Sequence, residues 1–502
     1  LAHAAQPQLP PAAPARPRDL WLLSLALILI VVLTHLPYLE LPLFWDELGQ
    51  FVPAALDLYR EGRWIPHSAH PNVHPPALMA YLALVWKISG YSIITTRLAM
   101  LLVGGLTVLV TFLLAIRLCR GVPGAPAFSA ITLLIVSPLF YTQSLLAQLD
   151  LPATLLTLWA LLEFLEGRIR RAALVSTALV LTKETGVAVP LVFAVWLWRE
   201  DRRRQAAWFL LPVAALIGWL AFLYARTGYW LGSVDFERYN LYYPLHPVRF
   251  PLALLRRLFY LFVDNFHFIG WIAILIAWRR TRVYADRAWR VTALLGLVHV
   301  VTVTVLGGAV LERYLLPVLP LLYIAMAAGW SVYSPRRRHW TEAVAVLGLL
   351  ASLFWTRPLP APLENNLAMV DFIRLQQEAA QYLQQASPAR VVTTAWPLSE
   401  ALRSPDFGYV RQPIPVREIP DFSPQTLLSL NRRKPETLVI YRRDWNPGPL
   451  YEWFPALARL RERYYGFAGE AWPEFVEQQL GLTQTARWSR RGQWLAVLQT
   501  PQ

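Results

Sequence analysis

Apolar residues run along this chain in long blocks, without the regular alternation of elements that bury only one face. The first block covers about 20–36 and gives way to a polar, aromatic stretch through Trp45, Asp46, Glu47 and His74. Pro76 to Trp86 is apolar but short, which predicts a helix lying along a membrane interface. Further blocks follow at about 93–116, 126–143, 152–165, 172–183, 187–198, 206–225, 259–278, 291–307, 315–333 and 341–356. Together they predict about eleven spanning helices, hence a polytopic α-helical membrane protein. Several blocks fall short of the roughly 20 residues a bilayer core requires. Tilting, pairing as hairpins or burial inside the bundle is expected of those.

Arginine clusters punctuate the blocks: Arg117/Arg120, Arg168/Arg170/Arg171, Arg199/Arg202/Arg203/Arg204, Arg279/Arg280/Arg282 and Arg336/Arg337/Arg338. With the blocks alternating in this order, all of them fall on one side, which the positive-inside rule makes the cytoplasm. Past Trp355 no spanning run remains, and prolines and polar residues return. Leu367 to Gln385 has helical spacing. Arg390–Thr394 and Thr437–Tyr441 read as strands, and Trp488–Gln499 as a hairpin around Arg491-Gly492. The expected organisation is a disordered Ala/Pro-rich tail over 1–18, a transmembrane domain over 19–356 and a small α/β domain over 357–502. The odd helix count places the last of these outside. The first outer loop is expected at about 37–92. The start lacks the charged region and cleavage site of a signal peptide, so the first helix is expected to stay as an anchor.

Composition agrees: 56% of the 502 residues are hydrophobic and the mean hydropathy is +0.37. A formal charge of +15 raises the question of nucleic acid, but clusters between apolar blocks are inside-loop charge and argue against it. The single cysteine, Cys119, excludes an intrachain disulfide and a cysteine-based metal site.

The remaining charges carry the chemistry. Asp46, Glu47 and His74 lie in the first outer loop, Asp150 at the outer end of a helix, and Lys183-Glu184 at the tip of a hairpin. Glu312-Arg313-Tyr314 tops another helix. Ionisable residues at membrane depth are costly and usually mark a site or a pathway, and the predicted topology gathers these on one face. A carboxylate can take the proton of an attacking hydroxyl, contributing about 10²–10⁴-fold. A leaving phosphate needs cations nearby. Plainer readings stand beside these: Asp150 as a helix cap, Lys183-Glu184 as an ion pair, Arg313 snorkelling to headgroups, His74 as a hydrogen-bonded loop residue. Tyr229, Trp230, Tyr239, Tyr242 and Tyr243 crowd one outer loop, where Tyr239 is a candidate cover for a sugar pocket. Asp46, Glu47 and His74 offer oxygen and nitrogen ligands to a divalent metal, although no spacing among them singles one out.

The sequence also resembles a known family. Phe44-Trp45-Asp46-Glu47, Tyr59-Arg60-Glu61-Gly62-Arg63-Trp64-Ile65-Pro66 and His74-Pro75-Pro76-Ala77-Leu78 resemble the first outer loop of the GT-C superfamily of membrane glycosyltransferases. The resemblance is to the protein O-mannosyltransferase and lipid A aminoarabinose transferase branch in particular. It continues through Thr96-Arg97-Leu98, Gln148-Leu149-Asp150, Leu181-Thr182-Lys183-Glu184 and Arg313-Tyr314-Leu315-Leu316-Pro317, covering roughly 20–330. It implies a GT-C fold and an inverting glycosyltransferase of the cytoplasmic membrane. The enzyme would move a sugar from a polyprenyl (or dolichyl) phosphate to the hydroxyl of a protein, lipid or polysaccharide acceptor at the outer face. By position, Asp46 would be the catalytic base with Glu47 beside it. Arg313, Lys183 and Tyr314 would engage the lipid phosphate, and His74, Asp150, Glu312 and Tyr239 would shape the pocket. Two departures stand out. Aminoarabinose transferases carry lysine where this chain has His74, and the large inserted lumenal domain of protein mannosyltransferases is missing. A non-catalytic subunit of a larger complex is one alternative. A lipid-linked sugar transporter is another, against which stand the lack of an internal repeat and the edge placement of the charges. The outer domain is expected to help choose the acceptor.

Overall fold

The apolar blocks become helices in the computed structural model, which describes residues 17–355, 362–386, 390–442, 450–465 and 470–501. Most of the expected tail (1–16) and the start of the junction after the last apolar helix (356–361) lie outside the described residues. Five helices are long and apolar enough to cross a bilayer: Trp21–Tyr38, Ile93–Leu118, Arg203–Thr227, Arg287–Val305 and Glu312–Val332. Two bent pairs raise the number to seven. Pro126–Val136 and Pro138–Leu145 meet at 63°, because Ser137 before the proline is extended and Pro138 cannot continue the ladder. Arg249–Phe262 and Asp264–Arg280 meet at 46°, where Asn265 and Phe266 both take left-handed backbone angles.

The expected count of eleven is therefore not reached by length and composition. The blocks at 172–183 and 187–198 form helices of only 12 residues each, Ile169–Val180 and Ala188–Arg199. At about 1.5 Å per residue these are too short for a core of about 30 Å. They are joined by the short turn Glu184–Val187, and Phe193 stacks on Phe164 of the helix Asp150–Leu165 at 4.2 Å, while Leu174, Leu191 and Trp198 stay exposed. The predicted interfacial segment is the helix Ala77–Ser89, with Leu82 and Trp86 buried and Leu84 and Ile88 exposed. At Gly104-Gly105 the helix Ile93–Leu118 lets Pro17–His35 cross at backbone contact. A Cβ on Gly105 would lie 2.7 Å from Ile28 Cα, the close approach that small residues permit between apolar helices.

Beyond the last apolar helix, Pro335–Phe354, lie the helix Ala368–Ala386 and a five-stranded sheet. Its strands are β1 (Val392–Ala395), β2 (Val416–Ile419), β3 (Thr437–Tyr441), β4 (Thr483–Arg490) and β5 (Gln493–Gln499), in the order β2-β1-β3-β5-β4. β1 runs parallel to β2 and β3, and β5 antiparallel to β3 and β4. The predicted hairpin is β4–β5, and its two-residue turn is Arg491-Gly492, both left-handed as such tight turns require. The interior strand β5, between β3 and β4, is buried almost throughout, whereas edge strand β4 alternates and carries charge outward.

This α/β region sits directly on the first loop. The Leu43 N–H donates to the Phe407 carbonyl at 3.1 Å, and the Tyr409 hydroxyl to the Leu43 carbonyl at 2.9 Å. Arg60 makes a two-pronged pair with Asp406 at 2.8 and 2.9 Å.

Candidate active site

Glu47 and Arg97 build the platform. Both are fully buried. The Arg97 guanidinium donates to both carboxylate oxygens of Glu47 and to the carbonyls of Leu41, Pro42 and Leu145. Glu47 also accepts the backbone N–H of Phe44 at 2.8 Å and of Ala147 at 2.6 Å. The first loop is thus tied to the bend after Pro138–Leu145. Removing one partner of such a buried pair costs about 3–5 kcal/mol.

On that platform the chain makes an unusual turn. Trp45 has φ +52°, a left-handed conformation for a large aromatic residue, which costs about 1–3 kcal/mol. Its carbonyl accepts the N–H groups of Leu48 and Gly49 at 2.9 and 3.2 Å, starting the helical turn Glu47–Phe51. Asp46, between them, projects to Arg313 and accepts a hydrogen bond from its guanidinium. Among the described residues, the other Asp46 oxygen has no hydrogen-bond partner.

Arg313, buried, is the hub. Besides Asp46 it lies 3.3 Å from Asp150 Oδ2 and 2.9 Å from Glu364 Oε2, and it donates to Gln148 Oε1 at 2.8 Å. Asp150 in turn holds Lys183 Nζ at 2.5 Å, and Lys183 stands 4.3 Å from the centre of the Tyr314 ring. Glu364 lies in the short turn Leu363–Asn365, just past the last apolar helix. Burial pushes its carboxyl up to about 7; Asp46 and Asp150 push the same way, and Arg313 opposes them.

Next to this cluster Arg257 is buried, and it donates only to the carbonyls of Leu311 and Val303. Its Nε has no partner, and among the described residues no carboxylate reaches ion-pair distance of it. Its charge centre is 5.9 Å from the Tyr314 ring, the ring that Lys183 and Arg313 also face. Glu312 is taken up by Arg256 at 2.6 Å and by the Asn365 side chain at 3.1 Å.

The structure thus brings Asp46, Asp150, Lys183, Arg313 and Tyr314 together and leaves others to one side. Asp150 is the first residue of its helix, Asp150–Leu165, but its side chain makes no cap. Lys183 and Glu184 do not pair with each other, because the chain sends Lys183 to Asp150 and Glu184 to His74 Nδ1 at 2.9 Å. Burial works against ionisation of Glu184, but the imidazole and Lys183 outweigh it and hold the carboxyl below its usual range. Tyr239 packs against Gly308, where a Cβ would lie 2.2 Å from its carbonyl oxygen, and burial, reinforced by Tyr243 and Asp46, pushes its hydroxyl up to about 12. Asp46, Glu47 and His74 do not form the metal-ligand set suggested by their types. Glu47 is spent on Arg97 and backbone N–H groups, and His74 on Glu184. Among the described residues the one group with ligand spacing is Asp57, Glu61 and His67. Two of those carboxylates are already engaged, Asp57 with Ser68 and Glu61 with Arg63.

Sequence reasoning missed Glu364 and Arg257. Glu364-Asn365-Asn366 follows a proline-rich stretch and matches no motif, and Arg257 precedes the block at 259–278 with nothing to mark it.

No family model matches the chain, and no curated protein sequence matches it. Solved structures do. The ArnT of Cupriavidus metallidurans bound to undecaprenyl phosphate superposes with a TM-score of 0.58 at 16% identity, over 97% of this chain and 100% of that one. The apo state of the same protein gives 0.56 at 15% identity, over 96% and 99%. At this identity the likeness speaks for architecture, and it spans both the helical bundle and the α/β region: the chain has the GT-C fold.

Proposed function

We propose that this protein is an inverting glycosyltransferase that moves a sugar from a polyprenyl-phosphate donor to an acceptor hydroxyl at the outer face of the cytoplasmic membrane. The observation that carries the reading is the pairing of two features at one place. Asp46 is a carboxylate with one oxygen held by a buried arginine and the other without a hydrogen-bond partner among the described residues. Near the ring of Tyr314, which Arg313 also faces, stands Arg257, a buried cation with no carboxylate partner among the described residues. The shared fold with a structure bound to undecaprenyl phosphate supports the donor class.

In this scheme Asp46 takes the proton from the acceptor hydroxyl as its oxygen bonds to the anomeric carbon. The bond from that carbon to the lipid phosphate breaks on the opposite side, and the phosphate leaves as an anion. Arg313, with three carboxylates around it, has little free charge to offer a phosphate; it aims Asp46. Arg257 and Lys183 receive the phosphate, preorganised cations in a site that water has largely left. Glu47 positions the loop through Arg97 and does not touch the reacting atoms. Membrane topology follows the arginine clusters, with the α/β region outside.

The test is mass spectrometry of envelope lipids, polysaccharides and proteins from cells carrying wild-type protein or Asp46→Asn. The expected outcome is loss of one glycan with accumulation of its polyprenyl-phosphate sugar, which also names the acceptor. An unchanged glycan profile, with the variant inserted at normal abundance, would overturn the catalytic reading in favour of a non-catalytic subunit.

A further inference from the structure

Trp45 is the residue whose backbone angle decides where Asp46 points, and its ring is held from outside the first loop. Trp396, at the C-terminal end of β1, packs edge-on against it at 4.6 Å between ring centres and 74° between planes. Phe372, on the helix Ala368–Ala386, closes a second side at 6.0 Å and also meets Phe44 at 5.9 Å. The Trp396 indole lies over Gly49 as well. A Cβ there would sit 3.3 Å from Trp396 Nε1, so this turn of the chain leaves room for hydrogen alone without displacement. The backbone just before the turn is fastened to the same region through Leu43, Phe407 and Tyr409. A left-handed tryptophan persists only where its surroundings over-determine it, and here those surroundings belong largely to the α/β region.

We infer that Trp396 is a positioning residue for the transfer reaction: it locks the strained turn at Trp45 and thereby fixes Asp46 relative to Arg313. This rests on the proposed role of Asp46. It assigns the α/β region a part in the reaction step itself, beyond any choice of acceptor. Losing the indole lets the turn relax, so that Asp46 spends less time in reach of the acceptor proton, while Arg257 and Lys183, on other elements, keep their places.

The experiment uses the full chain in nanodiscs, with undecaprenyl phosphate as the binding probe and, for turnover, the glycan that disappears with Asp46→Asn. Trp396→Ala is expected to slow turnover by about 10-fold or more while the dissociation constant for undecaprenyl phosphate stays unchanged. Trp396→Phe restores most of the rate. Gly49→Ala, which pushes a methyl group toward the indole, slows turnover by roughly 3-fold with binding again intact. It decides the matter if Trp396→Ala does not insert. Wild-type turnover in Trp396→Ala and Gly49→Ala, with Asp46→Asn inactive, overturns the positioning role and leaves the base intact. Parallel loss of lipid binding and turnover, unrelieved by Trp396→Phe, overturns it too and makes Trp396 structural. Normal turnover in Asp46→Asn is a failure of the underlying mechanism, recognisable as such because it does not involve Trp396.

Discussion

Glu364 shows how far a single residue depends on its surroundings. Buried beside Arg313 and facing Asp46, Asp150 and Gln148, it holds its proton up to about pH 7. Its proton is bound more tightly in the folded chain than in the unfolded one. Its contribution to stability is therefore complete below the ordinary carboxylate range and is lost as pH rises through about 7. On the proposed function, donor binding has the same sign. With Glu364 neutral, the cluster of Asp46, Asp150, Lys183, Arg257 and Arg313 carries an excess of positive charge, and ionisation cancels it. Affinity for undecaprenyl phosphate should fall by roughly 3- to 10-fold between about pH 6 and pH 8. In Glu364→Gln this dependence should flatten, as a binding titration would show; an equally steep fall in the variant would remove Glu364 from the account. Asp46, Asp150, Lys183 and Arg313 could be picked from the sequence because ionisable residues at membrane depth are costly and the predicted topology gathers these on one face. Glu364 and Arg257 could not. An acid in a polar junction looks like any other, and an arginine without a partner is known only from which carboxylates fail to reach it.

Among the elements, the helices are the most legible part, since a block of apolar residues in a bilayer has few other ways to satisfy its backbone. Their number was not. The pair Ile169–Val180 and Ala188–Arg199 has the composition of spanning helices but only 12 residues in each, too few to cross a bilayer core. In the sheet, β4–β5 follows from its turn residues. β2, with Arg417 and Glu418 at its centre, carries no apolar pattern to reveal it. The crossing at Gly105 gives the sharpest test at this scale. Gly105→Val places a branched side chain where the backbone of Ile28 already lies, and such overpacking costs about 1–3 kcal/mol. Thermal unfolding in detergent should show a lowered midpoint, while Gly121→Ala, in an open turn with no atom near its Cβ position, measures the effect of left-handed geometry alone. An unchanged midpoint for Gly105→Val would mean the two helices do not cross there.

The arginine clusters predict a sidedness for the whole molecule. In a Cys119→Ser background, a cysteine at Arg337 should be labelled by a membrane-impermeant reagent only in inverted vesicles. One at Glu452 should be labelled in intact spheroplasts. Labelling of both from the same side would break the alternation on which the outer placement of Asp46 and Arg313 depends. Likeness to ArnT runs through both the bundle and the α/β region. The sequence motifs cover only the bundle, because the α/β region contributes packing surfaces, such as Trp396 and Phe407, that leave no motif behind.

That division has a consequence for how the proposed site comes into being. A ribosome delivers Asp46 early, Arg313 much later, and Glu364 and Trp396 last of all. A nascent chain halted after its final apolar helix would already hold the aspartate and its arginine, but with the turn at Trp45 unbraced and the third acid missing. On the proposed function, activity would wait until the α/β region has been made, and chains halted before it would draw little on the pool of lipid-linked sugar.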